Sequence, residues 1–255
     1  MEEYLIDNLN VSVYSNRNEM GINAANEIIE KLKTLLNEKV EVRMIFAAAP
    51  SQDDMTEELI KHDEVEWNRV IAFHMDEYIG LEKDAPQKFG NYLKKKVFDH
   101  LPFKEVHYID QPNLSPERIC EQYELKLKEK NIDIICMGIG ENGHIAFNDP
   151  PVAVFKDNKL VKIVELDNIC RQQQVNDGCF NTLDQVPTRA ITLTVPVFMN
   201  ADNLFCVVPN EIKAEAVKAT LEMQISEKCP STILRSHKSA KLYLDQNSAK
   251  LLHNK

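Results

Sequence analysis

Three short stretches of the chain concentrate side chains able to move protons or hold an anion. In Gly138-Ile-Gly140-Glu-Asn142-Gly143-His144, followed by Asp149-Pro150-Pro151, an imidazole stands five residues before a carboxylate. That spacing lets Asp149 orient His144 for proton transfer. In Phe73-His74-Met75-Asp76-Glu77-Tyr78-Ile79-Gly80 two carboxylates are adjacent. Their burial is costly, so Asp76 or Glu77 must be solvated, paired or held for work on a ligand. Val207-Val208-Pro209-Asn210-Glu211-Ile212-Lys213 puts a lysine in the first turn of a helix. A cation is unfavourable against that positive dipole end, which suggests an anion bound between Lys213 and the helix amides; a lysine bending into water fits equally well.

The glycine stretch is formally G-x-G-x-x-G, the dinucleotide pattern, but that reading needs a helix to start there and hold a pyrophosphate. Two prolines soon after His144 forbid a long helix, because each removes a backbone donor and restricts the residue before it. A loop that brings amides and polar side chains close to a small ligand is the better reading, beside the plain alternative of a tight connection. His74 with Asp76 raises the thought of a metal, but only two candidate ligands occur together there. His62, His100 and His253 fall near helix ends, in exposed contexts. The six cysteines form no C-x-x-C pair. Cys136 and Cys206 lie in apolar runs and Cys120 at helical spacing, so core filling in a reducing compartment is expected, without a structural metal.

Positioning these groups requires strands that end where the motifs begin. Short apolar runs alternate with amphipathic stretches over almost the whole length, the pattern of an α/β protein. Strands are predicted at 10–14, 42–47, 69–74, 105–108, 132–137, 160–164, 190–194, 204–208 and 240–244. Helices are predicted at 16–37, 51–62, 88–100, 115–130 and 211–222. Several strands, such as Ile132-Asp-Ile-Ile-Cys-Met137, are nearly continuous apolar runs, so both faces are expected to be covered: a three-layer α/β/α, Rossmann-like fold with a mostly parallel central sheet, in one domain over 1–255. Ligands in such sheets bind beyond the carboxyl ends of the strands, which is where all three motifs fall.

The 255 residues carry 40 acidic and 30 basic side chains, a formal charge of −10. A nucleic-acid partner is disfavoured, since it calls for a basic surface. No apolar run approaches the roughly 20 residues of a spanning helix, and the start, Met1-Glu-Glu-Tyr, is acidic where a signal peptide is basic. A soluble cytoplasmic protein with a small-molecule ligand is expected, with neither a nucleic-acid nor a membrane partner.

Together these segments resemble the glucosamine-6-phosphate deaminase/isomerase family. Phe73-His-Met-Asp-Glu-Tyr-Ile-Gly-Leu81 is similar to its F-N-M-D-E-Y-x-G-L block. Gly138-Ile-Gly-Glu-Asn-Gly-His-Ile-Ala-Phe-Asn-Asp-Pro150 is similar to its G-x-G-x-D-G-H-I-A-F-N-E-P block. Gln185-Val-Pro-Thr-Arg-Ala-Ile-Thr192 is similar to its Q-V-P-x-x-A-L-T block. The related 6-phosphogluconolactonases share the glycine–histidine stem but lack the M-D-E-Y block. The resemblance implies an amino-sugar phosphate as substrate and no metal or organic cofactor. It implies that His144, oriented by Asp149 and with Asn142 nearby, relays a proton during ring opening. Asp76 then moves a proton from C2 to C1, giving fructose-6-phosphate and ammonia. Contacts to substrate and phosphate fall on Ala49, Ser51, Glu77, Gly140, Gly143, Arg171, Gln174 and Lys213.

The departures from the family pattern lie at groups that touch substrate. Asn142 replaces an aspartate and Asp149 a glutamate, so the ring-opening relay is expected to be weaker or differently arranged. The glycine- and threonine-rich phosphate loop becomes Ala47-Ala-Ala49-Pro-Ser51-Gln52, where Ser51 could cap the next helix and leave amides free for phosphate. A phosphate-binding arginine aligns with Gln174, with Arg171 as a substitute. The allosteric serines fall on Val152 and Ala153, so no amino-sugar effector is expected. Galactosamine-6-phosphate as substrate, a sugar-phosphate sensor without turnover, and lactone hydrolysis stay open as alternatives, as does a homo-oligomer.

Overall fold

The computed structural model describes residues 1–252; His253 lies outside the described residues. Strands β1 (Glu2–Ile6), β2 (Leu9–Tyr14), β3 (Val42–Phe46), β4 (Val70–His74), β6 (Glu105–His107), β7 (Ile134–Met137), β10 (Asn203–Val208) and β11 (Ala240–Asp245) form one eight-stranded sheet. Its order is β1-β2-β11-β10-β7-β3-β4-β6, and all neighbours except the β1–β2 hairpin run parallel. Three further strands, β5 (Asp76–Tyr78), β8 (Val161–Glu165) and β9 (Arg189–Leu193), make a separate antiparallel sheet in the order β5-β9-β8.

Strand alternation explains the layers. Val42, Met44 and Phe46 point to one face, where they pack on α1 (Arg17–Glu38), α2 (Asp53–Leu59) and α3 (Phe89–Leu93). Ile45, Ile71 and Phe73 point to the other, against Tyr123 and Leu127 of α4 (Pro116–Lys128). The same layer holds Phe198 of α6 (Val195–Asn200) and Val217 of α7 (Ala214–Glu222). The mostly parallel, doubly covered sheet is therefore as expected. Helix α1 starts where Asn16 accepts from the Glu19 amide at 2.9 Å, and its buried stripe Met20, Ala24, Ile28, Leu32 and Leu35 recurs every three or four residues.

Some elements differ from the sequence reading. The predicted helix 88–100 is α3 continued by a π turn, Lys94–Phe98. The predicted helix 51–62 opens with a 3₁₀ turn, Pro50–Gln52, before α2. The strands predicted at 160–164 and 190–194 exist, but they join β5 in the small antiparallel sheet. Helix α5 (Asn168–Asn176) is unpredicted because its mostly polar sequence lacks an apolar stripe. β1 escapes because four of its five residues are exposed. Under the small sheet lies a separate aromatic cluster containing Tyr78, Phe89, Phe147 and Phe180, and it braces the loop that follows β7.

Candidate active site

Strands β4, β3 and β7 are successive neighbours, and the functional segments leave the carboxyl ends of this trio. Asp76 follows β4, Ala49 and Ser51 follow β3, and His144 follows β7. Two strand spacings separate the ends of β4 and β7, roughly 10 Å, the length of a sugar phosphate. β10 borders β7 on the other side and delivers Lys213 to the same edge.

Asp76 is held by the small sheet. It pairs in register with Thr192 of β9, and the Thr192 hydroxyl accepts from the Phe147 amide at 3.1 Å. The Asn148 side chain donates to the Leu193 carbonyl at 2.8 Å, so the loop of His144 and the strand of Asp76 are fastened to one β-strand. Asp76 is 7% exposed, and its carboxyl makes no hydrogen bond among the described residues. Burial, and then the neighbouring charge of Glu77, raises its pKa well above the ordinary carboxylate value.

Glu77 points the opposite way, as the next residue of a strand must. Its carboxylate accepts from the amides of Tyr78, Phe89 and Gly90 at 2.9–3.1 Å, anchoring the start of α3. Burial pushes its pKa up to about 7 against the pull of these amides. Glu77 also lines a surface cavity of about 320 Å³ that includes Lys88 and Asp110 but not Asp76. Sequence reasoning gave it a substrate contact; it holds the scaffold under Asp76 instead. His74 is likewise structural. Its Nδ1 donates to the Asp76 carbonyl and its Nε2 accepts from the Ile109 amide, both at 2.9 Å, which leaves no lone pair for a metal. Burial drives its pKa down to about 4, so the ring is neutral.

His144 Nδ1 lies 2.9 Å from Asp149 Oδ1 and 2.8 Å from Asn142 Oδ1. Both are acceptors, so Nδ1 carries the proton and Nε2 keeps its lone pair. Asn142 does more than stand in for a carboxylate: its amide donates to Asp149 Oδ1 at 2.9 Å while its carbonyl oxygen also accepts from the His144 amide. Burial would raise the Asp149 pKa, but the His144 imidazole and the Asn142 amide outweigh it and hold the carboxyl below its ordinary value. The two glycines serve as packing. A β-carbon on Gly140 would meet the His144 ring at 2.1 Å, and Gly143 has a φ of +80° with Cys229 Sγ close by.

Lys213 is N-cap of α7, after a 3₁₀ turn, and is buried at 5% exposure. Its ammonium has no hydrogen-bond or ion-pair partner among the described residues; burial lowers its pKa, and the carboxylates of Asp177 and Glu141 only partly oppose this. A desolvated cation at a helix start is suited to hold an anion. Gln174, on α5, is buried, and its side-chain amide is likewise without a partner among the described residues. Ser51 does not cap α2, contrary to expectation: its hydroxyl accepts from the Gln52 side chain at 3.1 Å, and that side chain also donates to the Val207 carbonyl. Arg171 is turned away from the phosphate role, because its guanidinium donates to the carbonyls of Val186 and Leu183. Residues the sequence did not signal complete the setting. Gln173 accepts from the Glu141 amide at 2.9 Å, and the Cys170 thiol is buried beside Asp149, near enough to sense the charge of Asp76 as well. Both lie on the polar helix that periodicity missed.

Residues 15–244 match the family described as glucosamine-6-phosphate isomerases/6-phosphogluconolactonase. A glucosamine-6-phosphate deaminase of Exiguobacterium sp. (strain ATCC BAA-1283 / AT1b) is 31% identical over 235 residues, 91% of either chain. One from Bacillus cereus (strain B4264) is 34% identical over 192 residues, 75% of this chain and 71% of its own. Among solved structures, a monomeric glucosamine-6-phosphate deaminase superposes with a TM-score of 0.86 at 26% identity, covering 94% of this chain and 99% of its own. A 6-phosphogluconolactonase from Thermotoga maritima shares the fold at a TM-score of 0.74 and 19% identity, covering 92% of this chain and 98% of its own. With its parallel sheet, its glycine–histidine loop after β7 and its M-D-E-Y block after β4, the chain belongs to the glucosamine-6-phosphate isomerase/6-phosphogluconolactonase family.

Proposed function

We propose that the chain is a glucosamine-6-phosphate deaminase, which isomerises the amino sugar and releases ammonia. The observation that carries this reading is the unpartnered, buried Asp76 carboxyl on the same sheet edge as the His144–Asp149 pair. Lys213, Gln174 and the amides after β3 would take the phosphate, which fixes the sugar with its C1–C2 end toward Asp76. The free Nε2 of His144 accepts the O1 proton and returns it to O5 as the ring opens, and Asp149 holds the transient imidazolium. Asp76 then removes the C2 proton of the open aldehyde and delivers one to C1, passing through an enolamine. Water adds to the resulting C2 imine, and ammonia leaves with fructose-6-phosphate. A raised Asp76 pKa suits a group that is base in one step and acid in the next, because its two forms lie closer in energy. His144 and Asp76 supply the proton transfers of ring opening and of the C2-to-C1 shift.

Purified protein incubated separately with glucosamine-6-phosphate and galactosamine-6-phosphate is expected to release ammonia, faster with the former. Faster release from galactosamine-6-phosphate would reassign the epimer. Hydrolysis of 6-phosphogluconolactone with no ammonia from either sugar would refute the reading.

A further inference from the structure

Cys170 has no part in that reaction, yet its thiol is fully buried beside Asp149. One ligand atom from each of His144, Asp149 and Cys170 lies within 4.8 Å of the other two, the only such trio among the described residues. Ligands around a tetrahedral zinc stand roughly 3.5 Å apart, so small side-chain rotations bring the three donors to binding distance. A second observation points to a cation. Asp149 Oδ2 is buried and accepts from no N–H or O–H group among the described residues; the Cys170 thiol, a weak donor, is what faces this carboxylate.

We propose that His144, Asp149 and Cys170 form an inhibitory zinc site, occupied at the expense of catalysis. Imidazole, carboxylate and thiolate together suit Zn²⁺, whereas Mg²⁺ and Ca²⁺ favour all-oxygen shells. On binding, a zinc–sulfur bond forms as the Cys170 S–H bond breaks and its proton passes to solvent. The neutral imidazole moves its proton from Nδ1 to Nε2 and ligates through Nδ1, Asp149 ligates through an oxygen, and water fills the fourth position. No electron is transferred. Zinc takes the Nδ1 lone pair and the charge of Asp149, and the proton moved to Nε2 occupies the lone pair that ring opening needs, so the loaded protein cannot open the sugar ring. The metal is a regulator of this site and no participant in turnover.

Metal-free protein titrated with Zn²⁺ is expected to bind one equivalent, lose its ammonia-releasing activity and recover it on chelation. Cys170→Ala and Cys170→Ser should keep most of the activity while the zinc concentration for half-inhibition rises at least about 10–100-fold, since altering even the outer partners of a bound metal costs that much. Co²⁺ should give a thiolate-to-metal charge-transfer absorption in the wild type that both variants lack. Equal zinc sensitivity in wild type and both variants, or a cobalt spectrum without that band, would overturn the proposal. The cobalt band is read without substrate, so it tests the site even if the assigned reaction is wrong.

Discussion

Substituting Gly140 by alanine tests the geometry of the relay at one atom. The added β-carbon would lie 2.1, 2.2 and 2.3 Å from three atoms of the His144 ring, where ordinary contact begins at 3.4 Å. The ring must withdraw by about 1.3 Å, the difference between 3.4 and 2.1 Å. Its Nδ1 stands 2.9 Å from Asp149 and 2.8 Å from Asn142, so a shift of that size lengthens these bonds to between about 3.2 Å, if the ring slides across them, and about 4.2 Å, if it backs straight away. Misplacing a catalytic group by about 1 Å costs on the order of 100-fold, which sets the expected loss in kcat. KM should change little, because the substitution leaves Lys213 and Gln174 in place. The backbone can accept alanine, since positive φ occurs at Gly80, Gly143 and Gly178 and not at Gly140. The stability cost is then the overpacking alone, about 1–3 kcal/mol, readable in denaturant melts. Ammonia release by Gly140→Ala at the wild-type kcat would refute the assigned position or role of His144.

Other substitutions separate the remaining parts. Lys213→Met removes a buried cation that lacks a partner. Loss of a charge-assisted contact of about 2–3 kcal/mol should raise KM by about 30–150-fold, while the free protein melts at a higher temperature. Asp149→Asn keeps one acceptor at His144 Nδ1, the Asn142 oxygen at 2.8 Å, so the ring stays oriented. Its kcat should fall by about 10–100-fold through loss of the charge, more mildly than His144→Ala, as steady-state ammonia assays will show. His74 ionises at about 4 when folded against 6.5 for the free side chain, so its contribution to stability is complete above pH 6.5 and is lost as pH falls through 4. Glu77 has the opposite sign: its folded pKa of about 7 exceeds 4.5, so its contribution is present below pH 4.5 and lost as pH rises through 7. Melting curves of His74→Gln between pH 6.5 and 4 should lack a decline of about 3 kcal/mol that the wild type shows.

What the sequence revealed, and what it hid, follows from how each feature is encoded. The parallel strands announce themselves because burial on both faces forces unbroken apolar runs, as in Ile134–Met137. Their carboxyl ends then locate Asp76, His144 and Lys213 without any knowledge of contacts. Direction of side chains is encoded less openly. Glu77 and Asp76 are neighbours in sequence, but a three-residue strand, too short to read as a period, turns one to the α3 amides and the other away from them. Arg171 and Gln174 lie three residues apart on a helix without an apolar stripe, so nothing in the pattern says that Arg171 is tied to the carbonyls of Leu183 and Val186 while the Gln174 amide is left without a partner among the described residues. Ser51 illustrates a further limit: a serine before a helix reads as a cap, whereas here Gln52 claims its hydroxyl and the 3₁₀ turn moves the helix start to Asp53.

The account turns on the Asp76 carboxyl as the group that carries hydrogen from C2 to C1. Replacing it with asparagine keeps shape and hydrogen-bonding capacity but removes the base, whose worth is about 10²–10⁴-fold in rate. In deuterium oxide with glucosamine-6-phosphate, Asp76→Asn should fail to form fructose-6-phosphate labelled at C1 and should release ammonia at least about 100-fold more slowly, while a hexitol phosphate still raises its melting temperature as in the wild type. Solvent labelling at C1 and ammonia release at the wild-type rate in Asp76→Asn would contradict the account.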